Sequence, residues 1–436
     1  MMNAMRHPYA GTGDHTGSYY AASANAAPLR PELQGAHDTD IAVLGAGFSG
    51  LSTALHLAEK GHRVTLIEGA RIGWGASGRN GGQIVNGLNA SLQTIARRYG
   101  QDTARFVAGL VMEGGDIIRE RVATYGIQCD LKPGNLFAAL TDAHMREIEA
   151  RWKLWRGYGI DSQEMLTAGQ MRDHVATDRY AGGMIDHRGG HMHPLNLALG
   201  EAAAFESLGG TIFEMSPVTW VETEGPRPGL RTARGEIRAK TLVLCGNAYL
   251  GDVVPTLERR IMPVSTQIMA TEPLGDLAAR LMPSDICVED VRYILDYYRM
   301  SADGRLLFGG GTVYGGADPR DIKAKLWKNM IKVFPQLAET RIDYAWSGNF
   351  ALSFSRVPQM GRIGANTYFA HGYSGHGVTG THTFGRILSE AISGDTGRFD
   401  VFAGLPWIPF PGGRTFRVPY SVMGSWWYGL RDRLGI

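Results

Sequence analysis

The chain has 436 residues, 44% hydrophobic and 20% charged. That excludes a disordered or fibrous chain and leaves length for a large buried core in roughly two or three domains. Lysine and arginine number 44 against 42 aspartates and glutamates, so a net charge of +2 gives no basic field for nucleic acid.

Residues 1–37 read as an extended arm rich in small residues and proline. No apolar run follows Arg6 and His7, so no secretory signal is expected. Cys129, Cys245 and Cys287 are widely spaced with no CxxC, which fits a reducing compartment, and a cytoplasmic protein is expected. No run approaches the ~18 apolar residues of a membrane span.

Residues 40–44 form a short apolar strand, and Gly45, Gly47 and Gly50 follow as G-x-G-x-x-G. Leu51, Ala54, Leu55 and Ala58 share one helical face until Gly61 stops it, and a second strand, 64–68, ends in Glu68. This is a β-α-β unit, and a second glycine-rich loop, 71–83, comes directly after it. Long amphipathic patterns predict helices over 102–125 and 142–158, and Pro194 opens another over 194–208. Strands are expected within 211–221, 229–244, 263–271, 293–299 and 305–309, with a helix over 321–333. A short strand, 367–370, leads through the glycine-rich loop 372–377 into a helix over 378–392. The aromatic tail, with Trp426, Trp427 and Tyr428 beside Arg431 and Arg433, is expected to pack on its own domain or a subunit partner rather than on a membrane.

The first glycine cluster has a specific physics. Gly45 permits the tight turn, Gly47 lets the backbone approach a pyrophosphate, and Gly50 lets helix and strand pack closely. The helix N-terminus supplies N–H groups to phosphates, and Glu68 can accept from both ribose hydroxyls, which disfavours a 2′-phosphate. FAD is preferred over NAD because two further glycine loops, 71–83 and 372–377, suit a long cofactor with a flat ring. A helix N-terminus after 372–377 would stabilise charge on a reduced flavin.

Seven stretches carry a wider resemblance: 18–25 (SYYAASAN), 73–83 (GWGASGRNGGQ), 113–121 (EGGDIIRER), 189–196 (GGHMHPLN), 245–252 (CGNAYLGD), 372–379 (GYSGHGVT) and 410–419 (FPGGRTFRVP). They resemble the D-amino-acid-oxidase, glycine-oxidase and sarcosine-oxidase superfamily of FAD-dependent amine oxidoreductases, and within it the members acting on gamma-glutamylated putrescine. The resemblance implies an α/β (mixed α+β) fold. A Rossmann-type FAD domain of the p-hydroxybenzoate-hydroxylase and glutathione-reductase type would be built from 38–90, 185–255 and 350–395. An inserted antiparallel-sheet substrate domain would take 91–184 and 256–349, with a tail over 396–436. It implies that Gly45, Gly47, Gly50 and Glu68 bind the ADP half, with Ala46, Phe48, Ser49 and Gly69 beside them. Ser77, Arg79, Asn80, Gly81, Gly82 and Gln83 would lie along pyrophosphate and flavin. Val218 would meet the adenine, and Gly375, His376, Gly377 and Val378 the flavin pyrimidine edge. Relatives with covalent flavin use a cysteine in the stretch matching 346–350; none stands here, so FAD is expected to be noncovalent.

The implied reaction is oxidative deamination of gamma-glutamylputrescine to gamma-glutamyl-gamma-aminobutyraldehyde, ammonia and hydrogen peroxide, with dioxygen as partner. Flavin N5 is the expected hydride acceptor, and His191, His376 and Trp346 are candidate neighbours. Trp74, Tyr293, Tyr297, Tyr298, Trp346 and Phe350 are candidate apolar walls, and Arg292, Arg299 and Arg356 candidate carboxylate holders. His187, His191 and His193 have metal-like spacing but no further ligands nearby, and no metal is expected. Two other readings stand: an amine or D-amino acid dehydrogenase reducing a quinone, and an FAD-binding assembly protein without turnover.

Overall fold

The computed structural model describes residues 13–434, without the side chains of 414, 428–429 and 431–434. Arg6 and His7, and the side chains of Tyr428, Arg431 and Arg433, therefore lie outside the described residues. The α/β class expected from the sequence holds, in two sheets of eight and nine strands.

The first sheet runs Gln359–Ile363, Thr367–His371, Gly235–Leu244, Gly35–Leu44, Val64–Ile67, Thr211–Phe213. Its five inner pairings are parallel except that of Gln359–Ile363, which is antiparallel. Ile41–Leu44 and Val64–Ile67 are buried on both faces, as continuous apolar strands of a parallel sheet should be. Helix Phe48–Glu59 covers one face, with Pro194–Ser207 and Gly377–Ile392 packed on that helix. A hairpin, Trp220–Glu222 and Gly229–Arg231, joins the other side beside Val218 and Leu257.

The second sheet runs Ile342–Ser353, Ile261–Thr271, Leu306–Tyr314, Asp296–Met300, Cys287–Asp290, Lys132–Ala139, Gly182–His191, Gln83–Ile84, with Gln163–Thr167 also on Gly182–His191. All pairings are antiparallel except Cys287–Asp290 with Lys132–Ala139. Alternation separates its two faces. Phe137 and Met184 meet helix Asp142–Gly157, and Leu136, Ile185 and Phe308 share a core with helix Ile322–Val333.

The single helix expected over 102–125 is two, Gln101–Leu110 and Glu113–Tyr125. The second crosses Gly377–Ile392 so closely that a Cβ on Gly114 would stand 2.1 Å from the Thr379 carbonyl oxygen. From residue 13 the arm is tied down rather than free. Tyr19 and Tyr20 are buried on a short helix, Tyr19–Ala22, and Tyr20 meets Trp346 edge-on at 5.2 Å. The tail helix Gly413–Leu434 docks its first half through Arg417, which donates to Glu258 at 2.8 Å, while Trp426 is 73% exposed. No helix among the described residues is long and apolar enough to cross a membrane.

Candidate functional site

At the C-terminal edge of the first sheet the chain turns at Gly45, where φ is 101°. A Cβ on Gly50 would meet the Gly45 carbonyl oxygen at 1.8 Å, so only glycine lets this helix pack on its own turn. Helix Phe48–Glu59 opens at Gly47 with no side-chain cap. Ser77 Oγ accepts from the Phe48 N–H at 2.9 Å, which brings the second glycine loop against this helix end. Glu68 is buried beside them. Its two oxygens accept from the Ala46 N–H at 2.7 Å and the Ala70 N–H at 2.9 Å. Burial pushes its carboxyl up to about 6, against the pull of those N–H groups. Gly69 lies between, and Ser216, two residues before Val218, donates its N–H to the Glu68 carbonyl. The segments carrying Gly45, Ala46, Gly47, Ser49, Gly50, Glu68, Gly69 and Val218 thus meet at one sheet edge.

A cavity of about 420 Å³ opens between this edge and the second sheet. Phe48, Ser77, Arg79, Asn80, Gly81 and Gln83 form one wall. The loop is held by its carbonyls. Arg299 Nε donates to Gly81 at 2.8 Å, Trp346 Nε1 to Arg79 at 2.9 Å, and the Met192 N–H to Gly82 at 2.7 Å. Asn80 Oδ1 accepts from the Gly82 N–H at 2.8 Å. The Arg79 guanidinium lies 4.3 Å over the Trp74 ring.

Gly375, His376, Gly377 and Val378 form the facing wall. His376 is the N-cap of Gly377–Ile392, again with no side-chain cap. Burial, then the Arg151 charge, lowers the His376 imidazole to about 4, so it is neutral near pH 7. Tyr293, Tyr297, Phe350, Arg292 and Arg356 complete the enclosure toward the second sheet.

Several predicted residues lie elsewhere. Tyr298 is a correction. Strand alternation turns it to the opposite face, where it stacks on Phe308 and shares a hydrogen bond with Tyr180, and its neighbour Tyr297 lines the cavity. Trp346 and Arg299 are buried struts beneath the loop 76–83, not cavity walls. Trp74 is not in the lining either, because its ring lies beneath Arg79. His191 is also away from the cavity, with Nε2 at 2.7 Å from the Asp285 carbonyl. His193 caps helix Pro194–Ser207 and His187 meets Glu164 at the surface, so the three histidines do not converge. Among the described residues no cluster fits a metal ion. Arg292 lines the cavity, but Asp290 and Asp296 both hold its guanidinium. Arg356 lines it without a carboxylate partner among the described residues, its Nη2 donating to the Tyr293 hydroxyl at 3.4 Å. Sequence reasoning missed Glu289, an acidic residue inside the strand Cys287–Asp290, which also lines the cavity.

The family model for FAD dependent oxidoreductases (DAO) matches residues 40–391. The chain belongs to the DAO family. It is 51% identical over 425 residues, covering 97% of this chain and all of the other, to the gamma-glutamylputrescine oxidoreductase of Escherichia coli K12. It is 40% identical over 96% of its length to the probable oxidoreductase OrdL of Haemophilus influenzae, of which 98% is covered. Glycine oxidase from Geobacillus kaustophilus has the same fold, with a TM-score of 0.69 at 21% identity over 82% of this chain and 95% of that one. This DAO member is an FAD-dependent oxidoreductase. Its residues suit the cofactor: two helices without side-chain caps open on one site, and Gly375 and Gly377 line it where an added Cβ would meet nothing closer than 3.6 Å.

Proposed function

We propose that the chain oxidises gamma-glutamylputrescine at the carbon bearing its terminal amine. With water and dioxygen, this yields gamma-glutamyl-gamma-aminobutyraldehyde, ammonia and hydrogen peroxide, a step of putrescine breakdown in the cytoplasm. The observation that carries this reading is the 51% identity over nearly the whole chain to the Escherichia coli gamma-glutamylputrescine oxidoreductase. FAD, when bound, would supply the two-electron acceptor, with dioxygen as the final acceptor. The first sheet with its helices would form the FAD-binding part, and the second sheet the substrate part.

The protein's own residues bind and orient. Gly45, Gly47, Gly50 and Glu68 would hold the ADP half, the free lone pairs of Glu68 accepting from ribose. The loop 77–83 would run along the pyrophosphate and ring, and the uncapped start of Gly377–Ile392 would face the ring's pyrimidine edge. Arg356 would take the carboxylate of the glutamyl head, while Tyr293, Tyr297 and Phe350 flank the four-carbon chain. No covalent flavin link is expected, since Cys129, Cys245 and Cys287 are buried and none lines the cavity. Burial raises all three thiols, Cys245 to about 11 and Cys129 to about 12. Acid precipitation should leave a yellow supernatant and a colourless pellet; yellow in the washed pellet would contradict it.

An amine panel assayed for peroxide tests the assignment. Peroxide should form fastest with gamma-glutamylputrescine; preference for glycine, sarcosine or a D-amino acid would overturn it. A second reading, electron transfer to a membrane quinone, is favoured by the exposed aromatic residues Phe416, Tyr420, Trp426 and Trp427 of the tail helix. It predicts substrate-reduced flavin that is slow to yield peroxide in air.

A further inference from the structure

The lining of the cavity also holds a carboxylate, that of Glu289. Glu289 is the third residue of the short strand Cys287–Asp290. In the antiparallel pairing it stands directly across from Tyr297, and in the parallel pairing directly across from Phe137. Directly paired residues share a face, so Glu289, Tyr297 and Phe137 lie on the same side of the sheet. Both Glu289 and Tyr297 line the cavity, and Tyr297 packs against Gly81 of the loop 76–83. Glu289 is therefore on the cofactor side. Its neighbour Asp290 alternates to the other side and is consumed by Arg292.

The carboxylate of Glu289, a half-buried residue, accepts no hydrogen bond and joins no ion pair among the described residues. Burial pushes its carboxyl up to about 7; Arg151 pulls it down and Asp290 pushes it further up. Arg151, from helix Asp142–Gly157, spends its guanidinium over the Phe137 ring at 4.0 Å instead of pairing with it. The other titratable groups facing the cavity include the guanidinium groups of Arg79, Arg292 and Arg356, of which Arg292 is held by Asp290 and Asp296, while His376, Tyr297 and Cys287 carry no charge near pH 7. His376 is lowered to about 4 by burial and Arg151, Tyr297 is raised by burial, and Cys287 is raised by burial. A partly buried carboxylate without a partner is stabilised when a cation arrives to meet it.

We propose that Glu289 receives the substrate's ammonium group and takes one proton from it, so that the amine presented to the flavin is neutral. This rests on the amine-oxidase reading above and deepens it. The step balances without any further reagent: R–CH2–NH3+ and the Glu289 carboxylate become R–CH2–NH2 and the Glu289 carboxylic acid. No electrons move. The need is real, because an alkylamine of pKa near ~10.4 is only about one part in 1000 neutral near pH 7.4. The nitrogen lone pair must be free before the adjacent carbon can lose hydride. Glu289 thus separates two tasks: Arg356 selects the acidic head, and Glu289 selects a cationic amine and discharges it.

The pH profile of kcat/KM tests this in the holoenzyme. The native enzyme must have Glu289 ionised and the free substrate protonated. Its profile should be bell-shaped, rising through about 7 and falling near ~10. Glu289→Gln cannot take the proton and must capture the rare neutral amine from solution. Its kcat/KM at pH 7.5 should drop at least ~100-fold and then climb about tenfold per pH unit toward ~10, with no limb near 7. FAD content and reduction by dithionite, read from the flavin spectrum, should match the native protein, which separates this from misfolding. If the glutamine variant does not hold FAD, Glu289→Asp is used; it should keep the acid limb, and losing that limb would overturn the proposal. A glutamine variant with the native profile, or one that gains nothing as pH rises, overturns the proton-acceptor role alone. A native enzyme that oxidises no amine overturns both readings together.

Discussion

Replacing Glu201 by alanine is expected to destabilise the protein by about 3–5 kcal/mol, a large part of the roughly 5–15 kcal/mol that holds an ordinary domain folded. Glu201 is fully buried on Pro194–Ser207. It accepts from Arg121 Nη1 at 2.7 Å and lies 2.9 Å from His382 Nε2, residues of the helices Glu113–Tyr125 and Gly377–Ile392. Arg121 also donates to the Ser52 carbonyl on Phe48–Glu59, so the cluster ties four helices. Alanine would strand a buried guanidinium. Burial alone would raise the Glu201 carboxyl, but His382 and Arg121 outweigh it and hold it at about 2. Its folded value is depressed, so the pair's stabilisation is full above about 4.5 and is lost as pH falls toward about 2. Urea unfolding of the alanine variant reads the effect directly. A loss below 1 kcal/mol would show that the cluster does not hold these helices together. Because Gly377–Ile392 opens on the cavity, FAD affinity should fall alongside stability.

Gamma-glutamylputrescine is expected to exceed putrescine in kcat/KM by at least ~100-fold, about 2.7 kcal/mol in transition-state binding. Arg356→Ala should erase most of that ratio by harming only the glutamylated substrate. Putrescine has no carboxylate for Arg356, and its second ammonium would sit unpaired near that guanidinium. Remote binding to the head orients the carbon beside the amine, so the loss should appear in kcat as well as KM. Arg356 adopts φ 65°, in the left-handed region, a backbone conformation that other structure must hold in place for a non-glycine residue. Arg292 is the contrasting case. With Asp290 and Asp296 on its guanidinium, its removal should act on stability through two stranded carboxylates. Equal rates on the two amines, or an Arg356 variant that keeps the ratio, would remove Arg356 from the substrate site.

The parts of this site that could be read from sequence are those whose signal is local. Gly45, Gly47, Gly50 and Glu68 sit within one β-α-β unit, and the loop before Gly377–Ile392 announces itself by glycine against a following helix. What sequence reasoning misplaced depends on distant partners. Trp346 and Arg299 looked like pocket residues because their aromatic or charged character suits one. Their hydrogen bonds go to Arg79 and Gly81, more than 200 positions away, and make them supports. Tyr297 and Tyr298 are adjacent aromatics in a strand, and only the sheet's packing decides which faces the cavity. Glu289 was invisible for a related reason. An acidic residue in a four-residue strand reads as solvent-facing until the parallel pairing with Lys132–Ala139 encloses it. The close approach of Gly114 to Thr379 is likewise a contact that no periodicity contains.

The most direct measurement is the visible spectrum of the purified flavoprotein mixed with gamma-glutamylputrescine in the absence of oxygen, followed by readmission of air. Rapid loss of the yellow absorbance is expected with this amine, little change with an equal concentration of putrescine or glycine, and recovery of colour with hydrogen peroxide when air returns. A flavin that stays oxidised with gamma-glutamylputrescine but bleaches with glycine, sarcosine or a D-amino acid would contradict the assignment.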